Sequence, residues 1–403
     1  MDRQVSRRSL LSAVAGAGLV PMVRAAAPAA PAAPVSVTRC PEYGGQVLPA
    51  LEKAFDRLGG LGRLVNGKTV TIKINLNGGP NRRLGHMPLE DSHWPHPDVI
   101  GGTLHLMGKA GARRIVVVES AWAPRTAPLE DHLLEAGWDP RRLISSAARV
   151  EFENTNFPAR GNRYARFVVP DGGMLFPAYL LNPRYEECDV FVSIGKPKYH
   201  STNGVTLVMK NVLGTTPLTI YGSGAGVMKD NEESELPRNG RMDIMHYGKR
   251  QPSNLAPPEV DPASPRNDGY RLPRVITDLC LARPVHLTIM DAVKSMAGGQ
   301  GVDRFCDPVS PGLIVAGTNV VCTDAVMMAL MNYDPMTDKG EIPWGPSENM
   351  LRLGEQRGIG TRDLRRIEVV GTPIRDAICD YKSLRAAREE RRRAYMARRN
   401  EAS

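Results

Sequence analysis

The chain has no Cys-x-x-Cys pair, no G-x-S-x-G elbow and no long apolar run after its first two dozen residues. Each absence removes a class of function. Six scattered cysteines (Cys40, Cys188, Cys280, Cys306, Cys322, Cys379) provide neither a thiolate zinc knot nor an iron–sulfur loop, so a cluster cofactor is not expected. They leave room for one or two disulfides, although buried small hydrophobe is the expected role for most. Without a nucleophile elbow, Ser/His/Asp hydrolysis has no support. Without an apolar run of ~20 residues, no stable membrane span is expected once any leader is gone. Gly222-Ser223-Gly224-Ala225-Gly226 has neither a preceding strand nor a Lys-Ser/Thr ending, so it reads as a loop and not as a phosphate cradle.

The formal charge of +9 suggests a nucleic-acid partner until it is located along the chain. Residues 1–34 carry a net +3 and residues 381–403 a net +5, which leaves the middle of the chain near neutral. A basic tail is not a basic groove, and nucleic acid is rejected as the main partner.

What is present begins with an address. Arg7-Arg8 stands ahead of a small-residue apolar stretch from Leu10 to Val23, and Ala25-Ala26-Ala27 follows. That pattern reads as a twin-arginine signal, making the translocase a partner during export and the periplasm the expected destination. Pro28 to Pro34 reads as a spacer. Residues 35–380 are then expected to hold the folded α/β domain, with residues 381–403 as a solvated, arginine-rich helical tail.

From Thr69 onward, strand-like and helix-like segments alternate. Strands are expected at Thr69–Leu76, Arg114–Glu119, Asp189–Ile194, His286–Met290, Gly312–Ala316 and Arg366–Val370. Helices are expected at Asp98–Gly111 (N-capped by Asp98), Leu129–Gly137, Gly204–Leu213, Asn319–Asn332 and Ser347–Arg357. The alternation predicts an α/β architecture: a largely parallel sheet, helices on both faces, and room for two lobes around a cleft. Thr215 to Arg271 breaks the rhythm and reads as a lid, a binding loop or a small insertion.

In open parallel sheets ligands sit beyond the carboxyl ends of the strands. Lys73, Asn75, Glu119-Ser120, Lys196-Pro197-Lys198-Tyr199-His200 and Asp291 all follow strands, with Lys210-Asn211 just downstream and Asp324 in a helix. That composition suits a small anionic ligand or a hydrated divalent cation. Lys73, Asn75, Lys196, Lys210 and Asn211 are expected to bind the substrate. Lys198 and His200 are expected to carry any chemistry, His200 by proton transfer near neutral pH. Asp291, Asp324 and His96 are the candidate metal ligands. His93-x-x-His96 offers two imidazoles, but Pro95 and Pro97 hold that stretch extended. His105, His286 and the Met327-Met328-Met331 group are expected in the core, and His246 lies in the irregular insertion, within reach of a cleft.

On these residues the chain resembles the family labelled domain of unknown function 362, over roughly Thr69 to Met331. The points of match are Lys73-Ile74-Asn75, His96-Pro97, the run Gly111 to Glu119 (GARRIVVVE), and Ile194-Gly195-Lys196-Pro197-Lys198-Tyr199-His200 followed by Gly204-Val205-Thr206, Lys210-Asn211 and Gly214. Asp291-Ala292, Ala316-Gly317 and Thr323-Asp324-Ala325-Val326 complete it. Many members carry a ferredoxin-like cysteine module, and this chain shows no such cluster. The resemblance extends distantly to two-lobed α/β nickel-pincer lactate racemases. Their histidine-rich ligand motif is not visible here, so nickel is not carried over. Two functional classes follow: an enzyme acting on a small anion, or a non-catalytic binding or accessory protein using the same lysines.

Overall fold

The computed structural model describes residues 29–80, 83–121, 128–158, 163–222, 241–298 and 305–401. Residues Arg7 to Ala27 and the Gly-rich stretch from Ser223 to Gly226 lie outside them. The fold is α/β. Its strands are β1 (Val35–Arg39), β2 (Thr69–Lys73), β3 (Arg114–Glu119), β4 (Val150–Asn154), β5 (Ala165–Val168), β6 (Ala178–Leu181), β7 (Val190–Gly195), β8 (Lys198–His200), β9 (Gly204–Thr206), β10 (Leu287–Ala292), β11 (Ser295–Ala297), β12 (Asp307–Val309), β13 (Leu313–Gly317) and β14 (Val369–Gly371).

Eight strands form the main sheet in the order β14-β1-β13-β10-β7-β2-β3-β4. All run parallel except β13, which opposes both β1 and β10. The central strands are apolar runs because both faces are covered. Successive residues serve opposite cores: Val116 and Val118 of β3 pack with one cluster, Ile115 and Val117 with the other. Helices Asp268–Ala282 and Val320–Leu330 cover the first face, Val47–Arg57 and Pro97–Lys109 the second. A small sheet, β12-β11-β8-β9, stands beyond the carboxyl edge. β7 leads into it through Lys196-Pro197 and β10 through Val293-Lys294, so two central strands deliver their ends directly to this layer.

Several expectations are corrected. Gly204–Leu213 is not one helix. It is a strand, Gly204–Thr206, then a short helix, Val208–Asn211, that passes into a 3-10 turn. Gly204 adopts φ +73°, and a Cβ there would meet the Trp344 ring at 2.7 Å. Leu207 is extended, and the Asp324 carboxylate then receives the backbone N–H groups of Val208 and Met209. The Pro97–Lys109 helix is capped by His96, whose Nδ1 accepts from the Asp98 N–H at 3.0 Å. Asp98 instead accepts from the Gly44 N–H. His105 is exposed; His286 is half-buried and accepts from the Phe191 N–H. The sequence pattern does not reveal β1, which follows the spacer immediately. The spacer itself is partly built in: Ala30 is buried, and the Pro31 carbonyl accepts from the Thr361 N–H. No disulfide joins any two of the six cysteines. The tail is helical over Tyr381–Glu401, but its first turns are docked. Tyr381 and Arg388 are buried, and the Arg385 guanidinium lies 4.0 Å from the Tyr199 ring centre. No helix among the described residues is long and apolar enough to cross a membrane.

Candidate functional site

The parallel strands bring Lys73, Glu119, Lys196 and Asp291 to one edge of the sheet, as the strand-end rule requires. There they divide into two separate groups.

The first group is closed. The Lys196 ammonium and the Asp291 carboxylate are both fully buried, 3.0 Å apart. Lys196 also donates to the Tyr43 hydroxyl at 2.8 Å and to the Glu90 carbonyl at 2.5 Å. Asp291 accepts from the Tyr43 hydroxyl at 3.0 Å and from the backbone N–H groups of His96, at 2.7 Å, and Val293, at 3.2 Å. The His96 ring stacks on Tyr43 at 3.7 Å. Burial pulls the Lys196 pKa down, and Asp291 opposes that pull. This network ties four separated chain segments together. It is a clamp, and its donors and acceptors are spent on one another.

Lys198 is equally buried. Its Nζ donates to Asn75 Oδ1 at 2.9 Å and to the His93 carbonyl at 2.6 Å. Burial, reinforced by Lys196 and Lys210, holds its pKa well below the ordinary lysine value. Asp324 is spent on the start of the Val208–Asn211 helix, and burial pushes its pKa up to about 8. Among the described residues no three His, Cys, Asp or Glu side chains gather closely enough to hold a metal ion. The candidate ligands are thus placed apart: Asp291 and His96 in the clamp, Asp324 at the helix start.

The second group is open. It lines a cavity of about 350 Å³ whose walls carry Lys73, Asn75, Glu119, Ser120, His200, Lys210, Asn211, Arg241 and His246. Five of the seven expected binding and catalytic residues are therefore here, and the two remaining lysines, Lys196 and Lys198, are not in its lining. Lys73 pairs with Glu119 at 2.6 Å and donates to Asn211 Oδ1 at 3.1 Å. Glu119 also accepts from the Leu76 and Ser120 N–H groups. Asn211 fixes the floor, donating to the carbonyls of Lys73 and Ile194. Gly214 allows this approach, since a Cβ there would sit 2.7 Å from Lys73 Nζ.

Arg241 reaches in from the irregular segment and is anchored by Ser120 Oγ, Thr216 Oγ1 and the Thr216 carbonyl. Burial brings its pKa down to about 10. Lys210 is brought down to about 7, chiefly by burial and further by Arg241. His246 is brought down to about 3 by burial, with Lys210 and Arg241 adding to the effect, so its ring is neutral. His200 Nδ1 accepts from the N–H groups of Thr202, at 3.2 Å, and Asn203, at 3.0 Å. A neutral ring that accepts at Nδ1 carries its proton on Nε2 and acts there as a donor. Glu119 is the one carboxylate among the described lining residues, and it is already paired.

Nothing in the sequence singles out Arg241. It lies in a stretch without periodicity, where an arginine carries no positional signal.

The model of a family described as Domain of unknown function (DUF362) matches residues 70–329. A thylakoid-associated protein of Synechocystis is 24% identical over 321 residues, covering 79% of this chain and 79% of that protein. Both the clamp's lysine–aspartate pair and the cavity's charged wall fall inside the family match.

Proposed function

The chain belongs to the DUF362 family, and we propose that it binds a small anionic ligand in the cavity at the carboxyl edge of its sheet. One observation carries this reading. Among the described residues, Lys73, Lys210 and Arg241 line the cavity against a single carboxylate, Glu119, that is already engaged by Lys73. Cations held in a poorly hydrated wall gain from a carboxylate, sulfate or phosphate that supplies the missing charge. The volume of about 350 Å³ suits a ligand of a few to a dozen heavy atoms. Arg241 supplies the planar fork, Lys210 a point charge and His200 a donor from Nε2.

The pH dependence follows in sign. Lys210 holds a proton only below about 7 in the empty cavity, so an anion is bound best by the acidic form. Sulfate keeps its charge across the neutral range and is the suitable probe. Its affinity is expected to decline by up to about tenfold per pH unit above that point and to level off below it. The stability of the empty protein behaves oppositely. Folding disfavours the Lys210 proton, so its contribution drops as pH falls from the ordinary 10.5 towards 7, then stays flat. Thermal unfolding with and without sulfate, across neutral pH, measures both trends. A sulfate shift that is the same at every pH would remove Lys210 from the site.

Export by the twin-arginine route belongs to the same reading, motivated by Arg7-Arg8 ahead of the apolar stretch. Conservative replacement of both arginines with lysine is expected to leave the protein in the cytoplasm. Unchanged periplasmic recovery would end that part of the proposal.

A further inference from the structure

The carboxyl-terminal helix Tyr381–Glu401 has one face docked on the body and another left open. Tyr381, Arg388 and Tyr395 recur at heptad spacing, with Arg391 one turn before Tyr395, and this stripe holds the helix in place. Tyr381 and Arg388 are buried, Tyr395 meets the Phe305 ring edge-on at 5.6 Å, and Arg391 pairs with Asp307. Arg392, Arg393, Met396, Arg398 and Arg399 lie off that stripe and are exposed. Residues three and four apart are neighbours on a helix surface, so Met396 sits beside Arg392, Arg393 and Arg399. It is an apolar side chain, 46% exposed, among guanidinium groups. From Arg391 to Asn400 the helix carries five arginines and no acidic residue, with Glu401 following. Apolar exposure gathers here as well. Among the described residues eight large apolar side chains are exposed, and four of them, Met336, Ile342, Ile378 and Met396, belong to this helix or to segments at its base. The Arg385 guanidinium donates to the Pro343 carbonyl at 2.9 Å, which sets Ile342 near the first turns, and Ile378 shortly precedes Tyr381.

We propose that this end of the molecule docks on an anionic lipid surface, its exposed arginines meeting phosphate headgroups while Met396 enters the apolar layer beneath them. Charge complementarity selects the partner. A lipid surface presents a dense layer of phosphates with hydrocarbon directly below, and guanidinium groups around a methionine match both parts. Nucleic acid offers the phosphates but no apolar layer for Met396, and its backbone would leave Ile342 and Ile378 exposed. The docked stripe has a part in this: it fixes the helix on the body, so the open face is presented without an ordering cost at the moment of contact. The contact is peripheral, since no described helix is long and apolar enough to cross a membrane. It is also separate from the anion cavity, whose described lining includes no residue of this helix.

The test sediments the full chain with vesicles of equal parts phosphatidylglycerol and phosphatidylcholine, and with vesicles of phosphatidylcholine alone. The native chain is compared with a variant carrying Arg392→Gln, Arg393→Gln, Arg398→Gln and Arg399→Gln, and with one carrying Lys at the same positions. Those side chains are exposed and off the docked stripe, so the fold should tolerate both sets. Any contribution from residues 1–34 is common to all three chains, and only the differences are read. The native chain is expected to prefer the anionic vesicles and to be released as salt is raised. An arginine near such a surface is worth about fivefold in partition, so the Gln variant should lose roughly a hundredfold or more. The Lys variant should keep most of the binding, because a headgroup layer reads charge and not a planar fork. Met396→Ser should lose about fivefold on its own, the worth of a partly inserted apolar side chain. Equal sedimentation of the native chain and the Gln variant would overturn the proposal, as would equal binding to both kinds of vesicle. So would full retention by Met396→Ser, or tighter binding to a DNA duplex than to the anionic vesicles at the same salt.

Discussion

Arg241→Ala is expected to weaken sulfate binding by about 1.5–3 kcal/mol, between roughly 10-fold and 150-fold, the worth of a hydrogen bond to a charged group, because Arg241 is only partly buried. Two consequences are combined in that figure. The ligand loses the guanidinium fork, and Ser120 and Thr216 lose the group that fills the space between them. Arg241→Lys separates these effects. It restores a charge without the planar fork, so sulfate affinity should recover in part while the Ser120 and Thr216 contacts do not. The loss of Arg241 should also raise the Lys210 pKa, since that cation is one of the two influences holding it down. The pH at which sulfate affinity declines should therefore move upward in Arg241→Ala. A merely structural arginine would leave that profile where it was. Calorimetric titration with sulfate at several pH values measures both the loss and the shift.

Asp291→Asn is expected to cost the fold about 3–5 kcal/mol, since it leaves the Lys196 ammonium buried without its carboxylate. Against a total stability of about 5–15 kcal/mol, that is a large fraction. The Tyr43 hydroxyl and the His96 and Val293 N–H groups would lose charge-assisted partners at the same time. Pairing Asp291→Asn with Lys196→Met removes both charges and should recover much of the loss, because the uncompensated charge is the main cost. Urea unfolding midpoints of the two single variants and the double variant check this. If either single variant is as stable as the native chain, the clamp is not the structural device described above.

The contrast between these two substitutions shows what is legible in the sequence. The central strands can be read because burial on both faces leaves an unbroken apolar run, as in RIVVVE of β3, whose limits the structure reproduces. The strand-end rule then places Lys73, Asn75, Glu119, Lys196 and Asp291 at one edge. It does not say which of them face one another. Lys196 and Asp291 leave adjacent, parallel-paired strands and turn into a mutual ion pair, while Lys73 finds Glu119 across the neighbouring pair of strands. Partner choice is settled by cross-strand geometry, and a linear pattern does not carry it. The single-helix reading of Gly204–Leu213 fails for a tertiary reason: Trp344 and Asp324 impose a strand and a break on residues with helical apolar spacing. Arg241 is hidden because irregular segments have no periodicity to betray a buried side. His246 is expected within reach of a cleft, and it does line one.

The central claim, that the Lys210–Arg241 cavity is an anion site, is tested most directly by soaking crystals of the protein with selenate and locating the selenium by its anomalous signal. The basic helix Tyr381–Glu401 is an internal control, since an ion attracted by net charge alone would settle along its exposed arginines. The expected result is an anomalous peak in the cavity, within hydrogen-bonding distance of Arg241 and Lys210. Peaks found only along the exposed arginines of that helix, with the cavity empty, would contradict it.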